Sequence, residues 1–493
     1  MTSQTYPSFH LRLERFRVFA DSGSFRLAPL SCIVGPNSSG KSSIITALLL
    51  LKQSIEQDIF SSRLSPLALT GPYCDLGRFY DVVHDHDEEA QIGFTFSIPL
   101  AALNRLPEPD PIVQLDIPQT PLPHWSYHYF PPGEQATLPA TGNMHFGLFF
   151  AVDEPFGPSL SRMEIHVEGV GSARFVRTIL GARRQHWRAY TAHNLPSQSV
   201  MLRFHPSAFF PTIYSRKTSY KKAGPHVKRR INQFLRATHS CLIYLQELFA
   251  RSAVIGPFRT PPARRYSFGG FSSTRAGPHG ERTFDLLITE KLLRTPGHPL
   301  QKSVSFWLKH LNLANGVSVH DIAKGANLFE VGLAGVGQRS DANVADVGYG
   351  ISQILPVIVQ GLLMRPGGIY MVQQPEIHLH PDAQAALADF FLYLSSKGVR
   401  TLVETHSEYF LIRLRRRLAE RGLHLAHGES DSTIPLSADD VSVLLTSVNR
   451  TTGGIVRELE IGTSFQFDNL PDGFMTQAVQ DRIALLKALG KRA

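Results

Sequence analysis

Gly35-Pro36-Asn37-Ser38-Ser39-Gly40-Lys41-Ser42 follows the apolar run Leu30-Ser31-Cys32-Ile33-Val34 and leads into Ile44-Ile45-Thr46-Ala47-Leu48-Leu49-Leu50. Strand, glycine-bounded loop and helix, in that order, are the setting a phosphate-binding loop requires. The plainer alternative is an ordinary glycine-rich turn before a helix. Gly35 and Gly40 let the backbone curl so that successive N–H groups converge on phosphate oxygens. The helix start at Lys41 and Ser42 adds partial positive charge. Lys41 is expected to reach the β- and γ-phosphates, and the Ser42 hydroxyl to ligate Mg²⁺. Pro36 and Asn37 suit a tight loop, and Ser38, Ser39 and Ser43 are small enough not to obstruct it. ATP and Mg²⁺ are the cofactors this stretch implies.

The chain has 493 residues, which predicts two or three domains, and 43% of them are hydrophobic, enough for sizeable cores. A formal net charge of +9 favours polyanionic partners, although such charge is often diffuse. Cys32, Cys74 and Cys241 show no metal or redox spacing and fit a reducing compartment. Met1 to Glu14 is polar and holds no signal-peptide run. The apolar cluster Ala47 to Leu51 ends at Lys52, far short of a membrane span. The expectation is a soluble, cytoplasmic protein without a membrane partner.

Outward from the loop, residues 8 to 34 alternate as strands and 41 to 58 read as one helix with Ile44, Ile45, Leu48, Leu51 and Ile55 on its apolar side. Residues 70 to 98 read as strands and turns, 107 to 139 as an irregular Pro-rich stretch, and 145 to 213 as strands. A basic helical stretch is expected from Tyr214 to Phe249, with Arg216, Lys217, Lys221, Lys222, Lys228, Arg229, Arg230 and Arg236. Residues 258 to 283 read as loop, 284 to 315 as helical and 317 to 335 as strands. No internal repeat or long heptad run is visible. Toward the C-terminus, Asp346-Val347-Gly348-Tyr349-Gly350-Ile351-Ser352 opens an apolar helix. Gly368 to Val372 is a short strand before Gln373-Gln374-Pro375-Glu376-Ile377-His378-Leu379-His380-Pro381, and Val399 to Val403 is another, ending in Glu404-Thr405-His406-Ser407.

This order resembles the ABC-type ATPase head found in RecF, SMC and OLD-family proteins, and more closely the compact bacterial AAA-type ATPases with a Pro-Glu-x-His-Leu-His-Pro Walker B region. Glu404 to Arg417 is similar to their histidine-switch strand and following helix, and Asp346 to Pro356 to their signature region. Tyr73 to His84 and Ile255 to Tyr266 also resemble family segments, and the tail around Leu470 to Phe474 resembles their small C-terminal domain. The implied fold is α/β: an ABC-type P-loop ATPase head with a mixed sheet and helices, interrupted by a large α+β insertion. The implied boundaries are 1–100 for the N-terminal part of the head, 101–329 for the insertion, 330–440 for the C-terminal part and 441–493 for the small terminal domain.

Such heads sandwich ATP between two subunits, which implies a homodimer or a higher homo-oligomer. Gly348, Gly350 and Ser352 would then face the partner's ATP, with glycine where the usual signature has serine. ABC heads place acidic residues directly after the Walker B strand; here Gln373 and Gln374 stand there, and an amide is neither a base nor an anion. Glu376 is the nearest carboxylate and is assigned the catalytic role, with Glu404 as second candidate and a support for Mg²⁺. The glutamines are either natural, with slow turnover and ATP acting as a clamp, or an engineered trap. His406 would contact the γ-phosphate; its plainer reading is a capping or core histidine. The pairs His378/His380 and His84/His86 lack two further metal ligands at useful spacing.

The function expected is an ATP-driven switch or scaffold for a protein effector, as relatives provide in bacterial antiphage defence. The alternative is a RecF- or SMC-like ATPase of DNA maintenance, with the basic stretch 216 to 236 on nucleic acid. An OLD-type nuclease is not expected, because residues 407 to 493 are few for a TOPRIM domain plus the tail and hold no Glu followed by an Asp-x-Asp pair on strands.

Overall fold

The computed structural model describes residues 7–58, 65–87, 89–104, 137–153, 157–180, 184–192, 195–196, 199–203, 209–215, 220, 222–269, 274–323, 327–335, 341–426, 437–449 and 453–460. The Pro-rich stretch 107 to 139 and the tail after 460 fall largely or wholly outside those residues, as do Arg216, Lys217 and Lys221.

β1 (Phe9–Phe16) and β2 (Phe19–Leu27) form a hairpin that buries Phe9, Leu11, Leu13 and Phe16. β3 (Leu30–Val34) is buried along its whole length and delivers the chain to the glycine-bounded loop. α1 (Lys41–Asp58) follows as a single helix, with Ile44, Ile45, Leu48, Leu51 and Ile55 all buried. Two short helices, α2 (Phe79–Val82) and α3 (Leu100–Asn104), bracket β4 (Ile92–Pro99). The strands β5 (Asn143–Asp153), β6 (Gly157–Val167), β7 (Gly171–Leu180) and β8 (Arg184–Ala192) extend from β4 as a meander. Together these make a seven-stranded antiparallel sheet in the order β2-β1-β4-β5-β6-β7-β8. The expected boundary at residue 100 thus falls between β4 and β5, which pair over Ile92–Pro99 and Asn143–Phe150.

β9 (Val200–Arg203) and β10 (Thr212–Ser215) pair with each other. The long basic helix α4 runs over Pro225–Ala250; Tyr220 and Lys222 before it are already helical, while Tyr214, the expected start, lies in a strand. Thr212 to Ser215 are taken up by β10, and Gly224 with Pro225 supplies the helix start, where a missing N–H costs nothing. β11 (Ala253–Ile255) is followed by a loop whose only strand, among the described residues, is the two-residue β12 (Tyr266–Ser267). Then come α5 (Thr283–Leu292) and α6 (Pro299–His310), and β13 (Gly316–Ala323), β14 (Leu328–Ala334) and β15 (Asp341–Asn343), which form a small antiparallel sheet with β12.

The last part of the chain alternates: α7 (Tyr349–Leu362), β16 (Ile369–Gln373), α8 (Pro381–Ser396), β17 (Arg400–Glu404), α9 (Glu408–Ala426), β18 (Val441–Asn449) and β19 (Gly453–Leu459). The six-stranded sheet runs β11-β16-β17-β3-β18-β19, parallel except for β19. β18, just past the expected boundary at 440, lies directly beside the P-loop strand β3.

The central strands of the six-stranded sheet are buried on both faces. Ile33, Met371, Leu402 and Leu444 face the core shared with α1, α4 and the antiparallel sheet. Cys32, Val34, Tyr370, Val372 and Val403 face the core shared with α5 to α9. Apolar burial on this scale is the main favourable term of folding. The fold is α/β with a mixed sheet and a separate antiparallel sheet, in line with the fold class read from the sequence. Among the described residues no helix is long and apolar enough to cross a membrane.

Candidate active site

β3, β16 and β17 are parallel neighbours, so their C-terminal ends open on the same edge, where α/β sheets bind ligands. Val34 releases the loop 35–42, Gln373 closes β16 and Glu404 closes β17. The order β16-β17-β3 brings residues more than three hundred positions apart into contact.

The loop glycines are demanded by close approach as well as by backbone angle. Gly35 has φ 143° and Gly40 φ 101°. A Cβ on Gly35 would strike the carbonyl of Thr446 on β18, and one on Gly40 would sit 2.6 Å from Val18 Cγ2 at the β1–β2 turn. Ser38 takes φ 60°, while Pro36, Asn37 and Ser38 are exposed and Ser39 and Ser43 are buried. Ser39 Oγ donates to Pro36 O at 2.8 Å and lies 2.5 Å from Thr446 Oγ1, which pins the loop to β18.

Lys41 is buried, and its Nζ donates to Gly35 O at 2.9 Å and Pro36 O at 2.6 Å. Burial holds its pKa below the usual lysine value, offset in part by Glu404. Ser42 Oγ donates to Glu404 Oε1 at 2.9 Å, and Gln373 Nε2 donates to Glu404 Oε2, also at 2.9 Å. Glu404 is itself buried, and its carbonyl accepts from Gln374 N at 2.7 Å. The carboxylate nearest the loop therefore comes from β17.

Glu376 lies one turn further on and is 7% exposed. Its Oε1 accepts from the backbone N–H of His406 at 2.6 Å, while its buried Oε2 has no hydrogen-bond partner. Burial raises its pKa above the usual carboxylate range. The His406 side chain is exposed, and its pKa is lowered first by burial and then by the positive charge of Lys41. The negative charge of Glu404 opposes that shift.

Gly348 is the exposed N-cap of α7, and a Cβ there would meet nothing within 4 Å. Gly350 packs on the carbonyl of His378. Ser352 is buried, and its Oγ donates to Tyr349 O at 2.9 Å within the helix. These three residues bond within α7 or pack on the Walker B turn. Tyr349, 66% exposed, stands beside His378.

Two contributors carried no role in the sequence reading. Thr446 shapes the loop from β18. Arg259 is buried and donates to the carbonyls of Gln373, Gln374 and Gln353. Burial pushes its pKa down to about 10. Its only sequence signal was its place in the segment Ile255 to Tyr266. Among the described residues no group of three or more His, Cys, Asp or Glu gathers as a metal cluster.

The implied Mg²⁺ is a hard cation that takes oxygen ligands. A serine hydroxyl and a carboxylate already 2.9 Å apart supply the right donor chemistry, so Ser42 and Glu404 fit it.

Residues 290–411 match the family described as an AAA ATPase domain. That stretch contains Gly348, Gln373, Glu376, Glu404 and His406 and ends before β18. No curated protein matches the chain. The solved structures similar to it include three SMC heads. An SMC head bound to the C-winged helix domain of ScpA has a TM-score of 0.40 at 12% identity, covering 92% of this chain and 97% of that one. The SMC head domain from Thermotoga maritima has 0.34 at 10%, covering 92% and 99%. An Smc head with an extended coiled coil, bound to the C-terminal domain of ScpA derived from Pyrococcus furiosus, has 0.37 at 12%, covering 97% and 98%.

Proposed function

We propose that the protein binds ATP with Mg²⁺ in the loop 35–43, hydrolyses it slowly, and uses it to close two copies of the chain as a switch for a protein effector, in the manner of antiphage ATPases. The observation that carries the reading is the Ser42–Glu404–Gln373 hydrogen-bond chain beside Lys41.

The N–H groups of the loop and the first turn of α1 receive the phosphates. Lys41 exchanges the carbonyls of Gly35 and Pro36 for phosphate oxygens. When bound, Mg²⁺ would supply charge neutralisation at the phosphates, and Ser42 and Glu404 are the residues that would hold it. Gln373 donates to Glu404 and so orients it. A second carboxylate at 373 would stand against Glu404 as a like charge, and one of the two would take a proton. A natural glutamine is therefore compatible with Glu404 as the working acid. His406 offers a ring N–H toward the γ-phosphate. Glu376 fixes the His406 backbone through Oε1 and keeps Oε2 for a water. Gly348, at the open end of α7, offers its helix N-terminus to the nucleotide of a second copy.

A second reading, nucleic-acid binding, draws on exposed Lys222, Arg229 and Arg230 near the start of α4. A salt-dependent DNA shift that is lost on neutralising Lys228, Arg229 and Arg230 would favour it. For the main reading, Lys41→Ala is expected to weaken ATP binding by about a hundredfold or more, measured by titration with a fluorescent ATP analogue. Unchanged affinity removes the assignment.

A further inference from the structure

Arg259 lies outside the phosphate loop, yet it is 6% exposed and its guanidinium joins two elements of the site. Nη2 donates to Gln373 O at 2.7 Å and to Gln374 O at 3.3 Å, at the end of β16. Nη1 donates to Gln353 O at 3.3 Å, in the first turns of α7. A guanidinium taken out of water and set against carbonyls forms no ion pair with them. It holds backbone, and its planar fork holds several acceptors in one geometry.

What it holds is an unusual stretch. Gln374 has φ 46°, a left-handed conformation that a side-chain-bearing residue keeps only where its surroundings enforce it. Arg259 grips it from one side, and from the other its N–H donates to Glu404 O at 2.7 Å. The connection continues through the Gln373 amide to Glu404 Oε2, and from Glu404 Oε1 to Ser42. In the opposite direction Gln353 sits one turn beyond Gly348 and Tyr349, at the exposed start of α7. A second contact runs alongside, where Gly350 packs on His378 O.

The geometry points to Arg259 as a positioning residue that ties the open start of α7 to the Gln373–Glu404–Ser42 chain, so that engagement of α7 by a second copy's nucleotide sets the acid of the chain's own site. This rests on the ATPase reading above. Arg259 touches no substrate; it acts through the backbone of Gln373 and Gln374.

The test uses the full chain and steady-state ATP hydrolysis. Arg259→Lys keeps the charge but loses the fork. It is expected to lower kcat about tenfold while KM for ATP stays within about threefold, as for an interaction that matters after binding. Gln373→Ala is expected to lower kcat as well, and the double variant to turn over like Gln373→Ala alone, because both changes cut one connection. Additive losses, an unchanged kcat, or a rise in KM alone overturns the inference. Should Arg259→Lys fail to fold, hydrogen exchange on the unaltered chain decides. ATP is expected to protect residues 346–356 and 371–376 together, and protection of one segment without the other overturns the coupling. A chain that neither binds nor hydrolyses ATP defeats the ATPase reading before Arg259 is altered, and this inference falls with it.

Discussion

In the six-stranded sheet, β3 and β17 are buried at every residue and β16 at all but its last. In the antiparallel sheet, β1 and β4 alternate between buried and more accessible positions. A strand covered on both faces can meet a ligand only where it ends, and parallel strands end on one edge. Val34, Gln373 and Glu404 all arrive there. The antiparallel sheet sends its strand ends both ways and spends its aromatic residues on packing. Phe9, Phe94, Phe96, Phe146 and Phe150 are all buried in it. The two sheets share α1 and one core, so stability and chemistry are divided between them by topology rather than by residue type.

The sharpest way to break that division is to damage the antiparallel sheet alone. Phe96 on β4 is 1% exposed and packs edge-on against Phe249. Phe96→Ala is expected to cost about 3–5 kcal/mol of stability. ATP affinity of the fraction that remains folded should not change, which calorimetric melting with parallel ATP titration checks. A folded variant with weakened ATP binding would show that this sheet shapes the site.

The matching change in the other sheet is Glu404→Gln. The amide still accepts from Ser42 but loses the anion, and Gln373 then faces a neutral partner. Turnover is expected to fall about a hundredfold with little loss of stability, read by phosphate release and melting temperature. If turnover persists, the carboxylate beside Ser42 is not the working acid.

The parts of the fold and of the site were not equally legible in the sequence. The loop at 35–42 was legible because its signal is local: glycines, lysine and hydroxyl in fixed register between a strand and a helix. β1, β2, β3, β16 and β17 were legible from alternation or from short apolar runs, whereas β11, β18 and β19 of the six-stranded sheet were not read as strands. Glu404 could be named as a candidate, but its contact with Ser42 depends on β17 lying between β3 and β16, which no local pattern announces. Arg259 was illegible because its partners are carbonyls of Gln353, Gln373 and Gln374, and a carbonyl is the same on every residue. Thr446 was hidden for a similar reason, since its strand pairs with β3 across most of the chain. The helical reading from Tyr214 ran into β10, because basic residues mark exposure and not helix, and Gly224-Pro225 sets the start of the long helix α4.

The seam between the two sheets gives a smaller effect. Lys52 on α1 is fully buried, 2.6 Å from Glu56, and donates to Phe249 O at the end of α4. Burial lowers its pKa to about 8, with Glu56 opposing. The unfolded chain therefore binds more protons than the folded one between pH 8 and the ordinary lysine value. Stability should rise with pH across that window, by at most about 3 kcal/mol, and be lost again as pH falls through 8. Lys52→Met should lack that rise. Denaturant melts of both proteins from pH 7.5 to 10.5 check it, and parallel curves would mean that Lys52 titrates as an exposed lysine does.

Glu376 gives the finest discrimination, because it sits just past the end of β16 and two roles compete for it. If its Oε1 only holds the His406 backbone, Glu376→Gln keeps that acceptor and turnover falls no more than about twofold, while Glu376→Ala loses it and falls further. If the free Oε2 serves a water as base, the two variants are equally slow, since neither retains an ionisable group. The raised pKa of Glu376 sharpens the second case, because its protonation should draw the acid limb of the rate profile above the usual carboxylate range, and Glu376→Gln should erase that limb. The expectation from the unpartnered oxygen is the second pattern, with a loss of about tenfold or more in both variants. A full rate in Glu376→Gln would leave Glu404 as the sole acid, and the chemistry would then belong to β17 alone.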